Sequence, residues 1–349
     1  MEVHRLAVAG RQPAIAQDTS ARVCRVWLRT SRFAAVETMT TATLTLGPDA
    51  GAFNQRGWAR SSTGRPWLAL EDYQQALTLY QQVGARAGEA ATLNNIGGVC
   101  AGLGDWNRAL NYYTQALPIA REVGDRAGEA ATLNNIGYVY ARLGNRKQAL
   151  GFYAQTLPIM REIGDRAGEA TALNNIGGVY DRLGDRERSL DYFTQALSIR
   201  REVGNRAGEV ATLNNIGGVY DRLGDRERAL GYYTQALPIA REIGDRAGEA
   251  TTLNNIGGVY DRLGDRERAL GYYTQALPIA REIGDRAGEA TTRYNIALVH
   301  QAGGDLDQAV QELEHVVDLD HQVGHPDLEA DTAVLEQLRR QREENQQPS

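Results

Sequence analysis

The chain has 349 residues, 42% hydrophobic and 23% charged, with a formal net charge of −6, the composition of a folded protein rather than a disordered one. No apolar run approaches the roughly 18 residues of a membrane span, no signal-peptide core follows the N-terminus, and Cys24 and Cys100 make no metal or disulfide pattern. Lys147 is the one lysine among 38 basic residues, which excludes a Walker lysine and argues against Schiff-base chemistry. A reducing, cytoplasmic setting is the expectation.

In chain order, residues 1–48 show no repeat and no clear period and stay unassigned, open to disorder. Residues 49–84 form a degenerate repeat. Ala69, Tyr73, Ala76 and Leu77 are in register with Ala109, Tyr113, Ala116 and Leu117, and Asn54 and Gly57 stand forty residues before Asn94 and Gly97. A decayed first helix over 50–63 and a second over 65–84 follow. From residue 85 to 324 the pattern is regular. Glycine recurs every 20 residues from Gly84, and the residue after it is nearly always Asp or Asn, as at Asp105, Asp125 and Asn145. Gly ends a helix at no steric cost in the left-handed conformation, and Asp or Asn caps the next. Alternate units match each other, so the unit is a 40-residue helical hairpin, six of them over 85–324. Residues 205–244 and 245–284 differ only at Asn205/Asp245, Val210/Ala250 and Ala211/Thr251. After the last repeat, 325–344 reads as a polar capping helix and 345–349 as a disordered tail.

Within a hairpin, Leu133, Ile136, Gly137, Tyr140 and Leu143 make one apolar stripe on the first helix, and Ala149, Leu150, Tyr153, Thr156 and Leu157 the facing stripe on the second. Gly137 lets the helices approach, and Tyr153 fills the space beside it. Pro118, Pro158, Pro238 and Pro278 fall inside second helices and predict a kink or a short break there.

These spacings resemble the tetratricopeptide repeat. Leu133, Ile136-Gly137, Tyr140, Ala149, Tyr153 and Thr156 follow its pattern, with alanine in place of that Thr in most copies, as at Ala116 and Ala236. The long repeat is similar to the arrays of kinesin light chains and Pins/LGN-type adaptors, and the phrasing to bacterial arrays joined to CHAT proteases or NB-ARC ATPases. The resemblance implies an all-α fold, a right-handed superhelical solenoid of antiparallel helix pairs, with a partner protein or peptide held in its concave groove. Residues 1–349 carry neither effector module, so its activity is not expected. A regulatory or sensor fragment of a bacterial signalling system, whose ATPase or CHAT-type protease is on another chain, is the alternative.

The candidate groove residues come from the first helix. With the apolar stripe packed inward, Asn94, Asn134, Asn174, Asn214 and Asn254 are expected to face the groove, where their amides can donate to and accept from a peptide backbone, as asparagines on this helix do in the related adaptors; the alternative is that they bond to neighbouring helices and hold the stack together. Asn135, Asn175, Asn215, Asn255 and Asn295 adjoin the packing side and are expected to act mainly in the stack. Asp181, Asp221, Asp261, Arg182, Arg222 and Arg262 recur near the helix end and are candidates for the groove rim or for solvated charges. The carboxylate clamp of chaperone-binding members is absent, since here Asn comes first and mostly Gly follows. No catalytic residue, cofactor or metal is expected. The paired glycines lie within a helix, and His315, His321 and His325 sit on different faces near a helix end. The array is close to neutral, so nucleic acid is not an expected partner, nor is a membrane. Residues 1–64 carry +4 and residues 305–349 carry −9; self-association through these ends is conceivable but not favoured over a solubilising acidic cap.

Overall fold

A computed structural model describes residues 1–323 and 327–346. Among these residues the chain forms helices and no strand. The chain divides into two compact units, residues 1–179 and residues from 180 onward. The first holds α1 (Glu2–Ala9), α2 (Pro13–Arg29), α3 (Phe33–Leu44), α4 (Ala50–Ser62), α5 (Pro66–Gln82), α6 (Arg86–Gly102), α7 (Trp106–Glu122), α8 (Arg126–Arg142) and α9 (Arg146–Glu162). The division falls within α10 (Arg166–Leu183). The second holds α11 (Arg186–Glu202), α12 (Arg206–Arg222), α13 (Arg226–Ile243), α14 (Arg246–Arg262), α15 (Arg266–Glu282), α16 (Arg286–Gly303), α17 (Leu306–Val323) and α18 (Leu328–Gln346).

The turn chemistry sets the hairpins. Gly104, Gly124 and Gly144 have φ of 78°, 70° and 79°, the left-handed region that a side chain resists. Around Gly104 the chain makes both bonds of a Schellman motif: Asp105 N–H donates to Cys100 O at 2.9 Å, and Gly104 N–H to Ala101 O at 3.1 Å. The Asp105 side chain then accepts from Arg108 N at 3.2 Å, as Asp125 does from Gly128 N at 2.9 Å. One residue thus closes one helix and opens the next.

Packing within each hairpin rests on a glycine against a tyrosine. A Cβ on Gly137 would lie 2.7 Å from Tyr153 Cε1, and the same clash recurs at Gly97 against Tyr113 and Gly257 against Tyr273. The rings fill the notch the glycines leave, and burial pushes the Tyr113 and Tyr273 phenols well above their ordinary range. Gly57 stands against Tyr73 in the same way, so α4 and α5 pack as the later hairpins do. Toward the far end of α8 and α12 a second aromatic pair stacks, Tyr140 on Phe152 in the first unit and Tyr220 on Tyr232 in the second, both at 5.5 Å.

Three features depart from the sequence reading. Residues 1–48, left unassigned and open to disorder, are helical, with Cys24, Leu28, Val36, Met39 and Ala59 in one core cluster. Their turns put Arg11 (φ 50°) and Ser31 (φ 55°) in the left-handed region, out of phase with the 20-residue spacing that starts at Gly64 and without the glycine that signals it. The prolines produce no break. α7, α9 and α15 run through Pro118, Pro158 and Pro278 as single helices of 17 residues, the length of α11, which has Ser198 instead. Each proline is exposed, on the side where a carbonyl without its helical donor is open to water. At the C-terminus α18 packs Leu335 and Leu338 on Val310, Leu313 and Val316, and it extends to Gln346, two residues into the segment expected to be disordered. His325 and residues 324, 326 and 347–349 lie outside the described residues.

The glycine notch generates a paired expectation. Gly137→Ala forces the ring of Tyr153 aside and lowers stability by about 1–3 kcal/mol. Gly151→Ala, where an added methyl meets nothing within 4 Å, raises it by up to about 1 kcal/mol through helix propensity. Urea unfolding followed by helical ellipticity measures both; equal effects at the two positions would refute the close-packing account.

Candidate functional site

The first helix of each hairpin keeps one face uncovered. In α8 that face carries Ala127, Ala131, Asn134, Tyr138 and Arg142, all exposed or half-exposed and spaced by three or four residues as one helical face requires. In the first unit this face continues on α4 and α6, and in the second on α12, α14 and α16.

The asparagines bond across this face from hairpin to hairpin. Asn95 Nδ2 donates to Asn54 Oδ1 at 3.1 Å, Asn135 to Asn94 at 3.2 Å, and Asn175 to Asn134 at 3.1 Å. In the second unit Asn255 donates to Asn214 at 3.5 Å and Asn295 to Asn254 at 3.2 Å. Every link spans 41 residues, one more than the repeat. The ladder therefore employs the Nδ2 of the second asparagine and the Oδ1 of the first. Thr132 Oγ1 adds a bond to Asn94 Oδ1 at 3.2 Å, and Asn214, which is buried, donates to Thr252 Oγ1 at 2.8 Å. Asn94, Asn134 and Asn254 are half-buried and, among the described residues, have no acceptor for their own Nδ2 groups. Asn174 and Asn215 are half-buried on the corresponding helices. Beside Asn94 a cavity of about 130 Å³ is lined by Ala91, Asn95 and Thr132 as well.

The charged pairs follow the same offset. In the second unit Arg222 Nη2 reaches Asp181 Oδ2 at 2.5 Å, and Arg262 Nε reaches Asp221 Oδ1 at 3.1 Å, both across 41 residues. Asp181 also accepts from Arg186 at 2.7 Å. Asp261 has no such partner, because Ala302 stands where the next arginine would be. Arg182 is exposed.

Sequence reasoning missed a second charged row, at the turns between hairpins. Glu129, 6% exposed, is held by Arg121 Nε at 2.8 Å from the preceding helix and by Arg126 from its own first turn. Arg126 also reaches Glu162 at 2.6 Å, and the next residue back, Arg161, holds Glu169 at 2.7 Å. The second unit repeats the motif with Arg201 and Arg206 on Glu209, Arg206 on Glu242, and Arg241 and Arg246 on Glu249. The signal was present as Arg-Glu-x-Gly-Asp-Arg-Ala-Gly-Glu, a spacing of eight between the first Arg and the last Glu.

The site offers directed amide and charged groups, with little that could perform chemistry. Burial pushes the thiols of Cys24 and Cys100 up, away from nucleophilic use. Among the described residues no group of three His, Cys, Asp or Glu side chains is placed to hold a metal, and no helix is long and apolar enough to cross a membrane.

Hydrogen bonds from Arg86 and Arg126 hold the carboxyls of Glu122 and Glu162 below the usual carboxylate range. A carboxylate depressed in the folded state adds stability that is complete above its unfolded pKa and lost as pH falls through the folded value. Between pH 7 and pH 3 the urea midpoint of the native chain should fall further than that of the Glu122→Gln/Glu162→Gln variant. Parallel pH profiles would show these pairs to be without effect.

Solved structures share the architecture. The crystal structure of BtubC (BKLC) from P. vanneervenii superposes with a TM-score of 0.53 at 24% identity, over 65% of this chain and 90% of that one. A STAND signal-transduction ATPase with a tetratricopeptide repeat sensor from Pyrococcus horikoshii gives 0.69 at 16% identity, over 93% of this chain, which spans 49% of that protein's length. A Rap protein complexed with competence and sporulation factor gives 0.63 at 14% identity, over 93% and 98%. At these identities the likeness is one of fold, an all-α repeat solenoid. Comparison with curated proteins gave no match. The tetratricopeptide repeat model matches residues 49–122, 88–162, 128–202, 168–242, 208–282 and 248–322, and with this unbroken coverage the chain belongs to the tetratricopeptide repeat family.

Proposed function

We propose that the chain is a non-enzymatic protein-interaction scaffold that holds an extended peptide or a helix of a partner protein along the uncovered face of its first helices. The observation that carries this reading is the state of the first asparagines. The ladder engages their Oδ1 atoms and leaves the Nδ2 groups of Asn94, Asn134 and Asn254 without an acceptor among the described residues, half-buried donors open to a ligand. A peptide carbonyl satisfies such a donor without disturbing the stack. One turn further on, Gly98 and Gly178 leave room for a backbone to lie close. A Rap protein of the same fold was crystallised in complex with competence and sporulation factor, in keeping with a binding role for this fold.

A second reading, a sensor piece of a signalling machine whose ATPase or protease is on another chain, draws on the STAND protein, of whose length this chain spans 49%. The two readings share the binding face and differ in what binding triggers.

Filling the face tests the proposal better than emptying it. An added Cβ at Gly98 lies 3.7 Å from the nearest atom, and at Gly178 it meets nothing within 4 Å. Gly98→Leu/Gly178→Leu should therefore fold and block the face. Peptides selected from a random phage-displayed library on the native chain should bind this variant at least about tenfold more weakly, a loss of about 1.4 kcal/mol. Gly151→Leu/Gly231→Leu, on the second helices, should leave binding unchanged. Binding indifferent to the first variant would sink the reading.

A further inference from the structure

In the second unit Arg222 and Arg262 are paired with aspartates of the preceding hairpin. Asp181 lies between Arg186 at 2.7 Å and Arg222 at 2.5 Å. In the first unit the same positions are filled differently. Ala101 stands where Asp181 and Asp221 stand, and Trp106 takes the place of Arg186. Arg142, 41 residues after Ala101 as Arg222 is after Asp181, is exposed and faces no carboxylate from the preceding hairpin. Its guanidinium lies 5.4 Å over the Trp106 ring instead. The nearest acid on that turn, Asp105, is already engaged with Arg108 N at 3.2 Å and with the Arg108 guanidinium at 3.6 Å.

An arginine stacked on an indole keeps its edge N–H groups free, and that edge matches a carboxylate in two parallel bonds. The surroundings suit an apolar neighbour. Tyr138, 43% exposed, meets Trp106 edge-on at 6.3 Å. Trp58, 50% exposed, holds the same helical position two hairpins earlier, with Gly98 at that position on the helix between. Two aromatic side chains thus flank a position that has no side chain.

We infer that Trp58, Gly98, Trp106, Tyr138 and Arg142 form the specificity-determining part of the binding face and take a peptide segment that pairs an acidic residue with an apolar one. The acid's carboxylate occupies on Arg142 the place that Asp181 occupies on Arg222, and the apolar side chain enters over Gly98 between the rings of Trp58 and Tyr138. The inference rests on the peptide-binding reading above and names the chemistry of its ligand.

The probe is a random phage-displayed dodecapeptide library selected on the full chain. The pool from the native protein should be enriched in Asp or Glu beside large apolar residues, and its consensus peptide should bind more weakly as salt rises. Ala101→Asp installs the internal carboxylate of the second unit, and Arg142→Gln removes the charge. Each should lower affinity for the consensus peptide about tenfold and erase the acidic enrichment when used as bait. Arg262→Gln, in the second unit, should do neither. Circular dichroism checks that the variants fold, and the exposed Arg142→Gln suffices if Ala101→Asp does not. Equal acidic content in the pools from native and Arg142→Gln bait overturns the inference. If those acid-neutral peptides are still lost on Gly98→Leu, the binding face stands and only its acidic preference falls. If no peptide is selected, or none is lost on Gly98→Leu, both readings fall together.

Discussion

The structure depends on a turn in which glycine and an acidic or amide residue divide the work. Glycine takes the left-handed conformation that reverses the chain, and the next residue closes the helix behind it through its N–H and caps the helix ahead through its side chain. A two-sided cap of this kind fixes where each helix starts and ends, and so the register between them. The notch of Gly137 then falls opposite the ring of Tyr153, and a slip of one residue would drive a side chain into that ring. Register also sets the 41-residue step by which asparagine meets asparagine and aspartate meets arginine.

No hairpin has enough buried surface to stand alone, and the links between hairpins are polar as well as apolar. At one edge amides bond to amides, and at the turns a buried glutamate is held by two arginines from different helices. The amide links lose nothing to salt or pH. The arginine–glutamate links are part-exposed, and a pair of that kind contributes modestly on its own. Their strength is in sharing: Arg126 serves Glu129 in its own hairpin and Glu162 at the end of the next helix, so each guanidinium joins two turns.

Much of this was legible in the sequence, and the parts that were not fail for identifiable reasons. The glycine period gave the hairpins, and the pairing of Gly137 with Tyr153 could be read from facing stripes. Residues 1–48 escaped because Arg11 and Ser31 accept the left-handed conformation at turns where the eye looks for glycine. The prolines suggested breaks because their cost is a property of the sequence, while the solvent exposure that offsets it is a property of the fold. The asparagines and a role for them in the stack were visible, but not which atoms meet, since a 40-residue period does not announce a 41-residue contact. That offset decides which oxygen is spent inside the chain and which nitrogen is left over.

Near-identical hairpins make a surface that repeats, and a repeating surface binds in many registers without preferring one. The hairpins of 205–244 and 245–284, which differ at three positions, pair Arg262 with Asp221 between themselves and present the same glycine and asparagine to any ligand. Specificity has to come from hairpins that break the pattern. In the first unit the loss of one carboxylate at Ala101 and the exchange of an arginine for Trp106 convert an internally neutralised pair into an oriented cation on an aromatic platform. The duplicated hairpins and the divergent ones are complementary in this sense: the former show what geometry satisfies an arginine here, and the latter leave that geometry open to a partner.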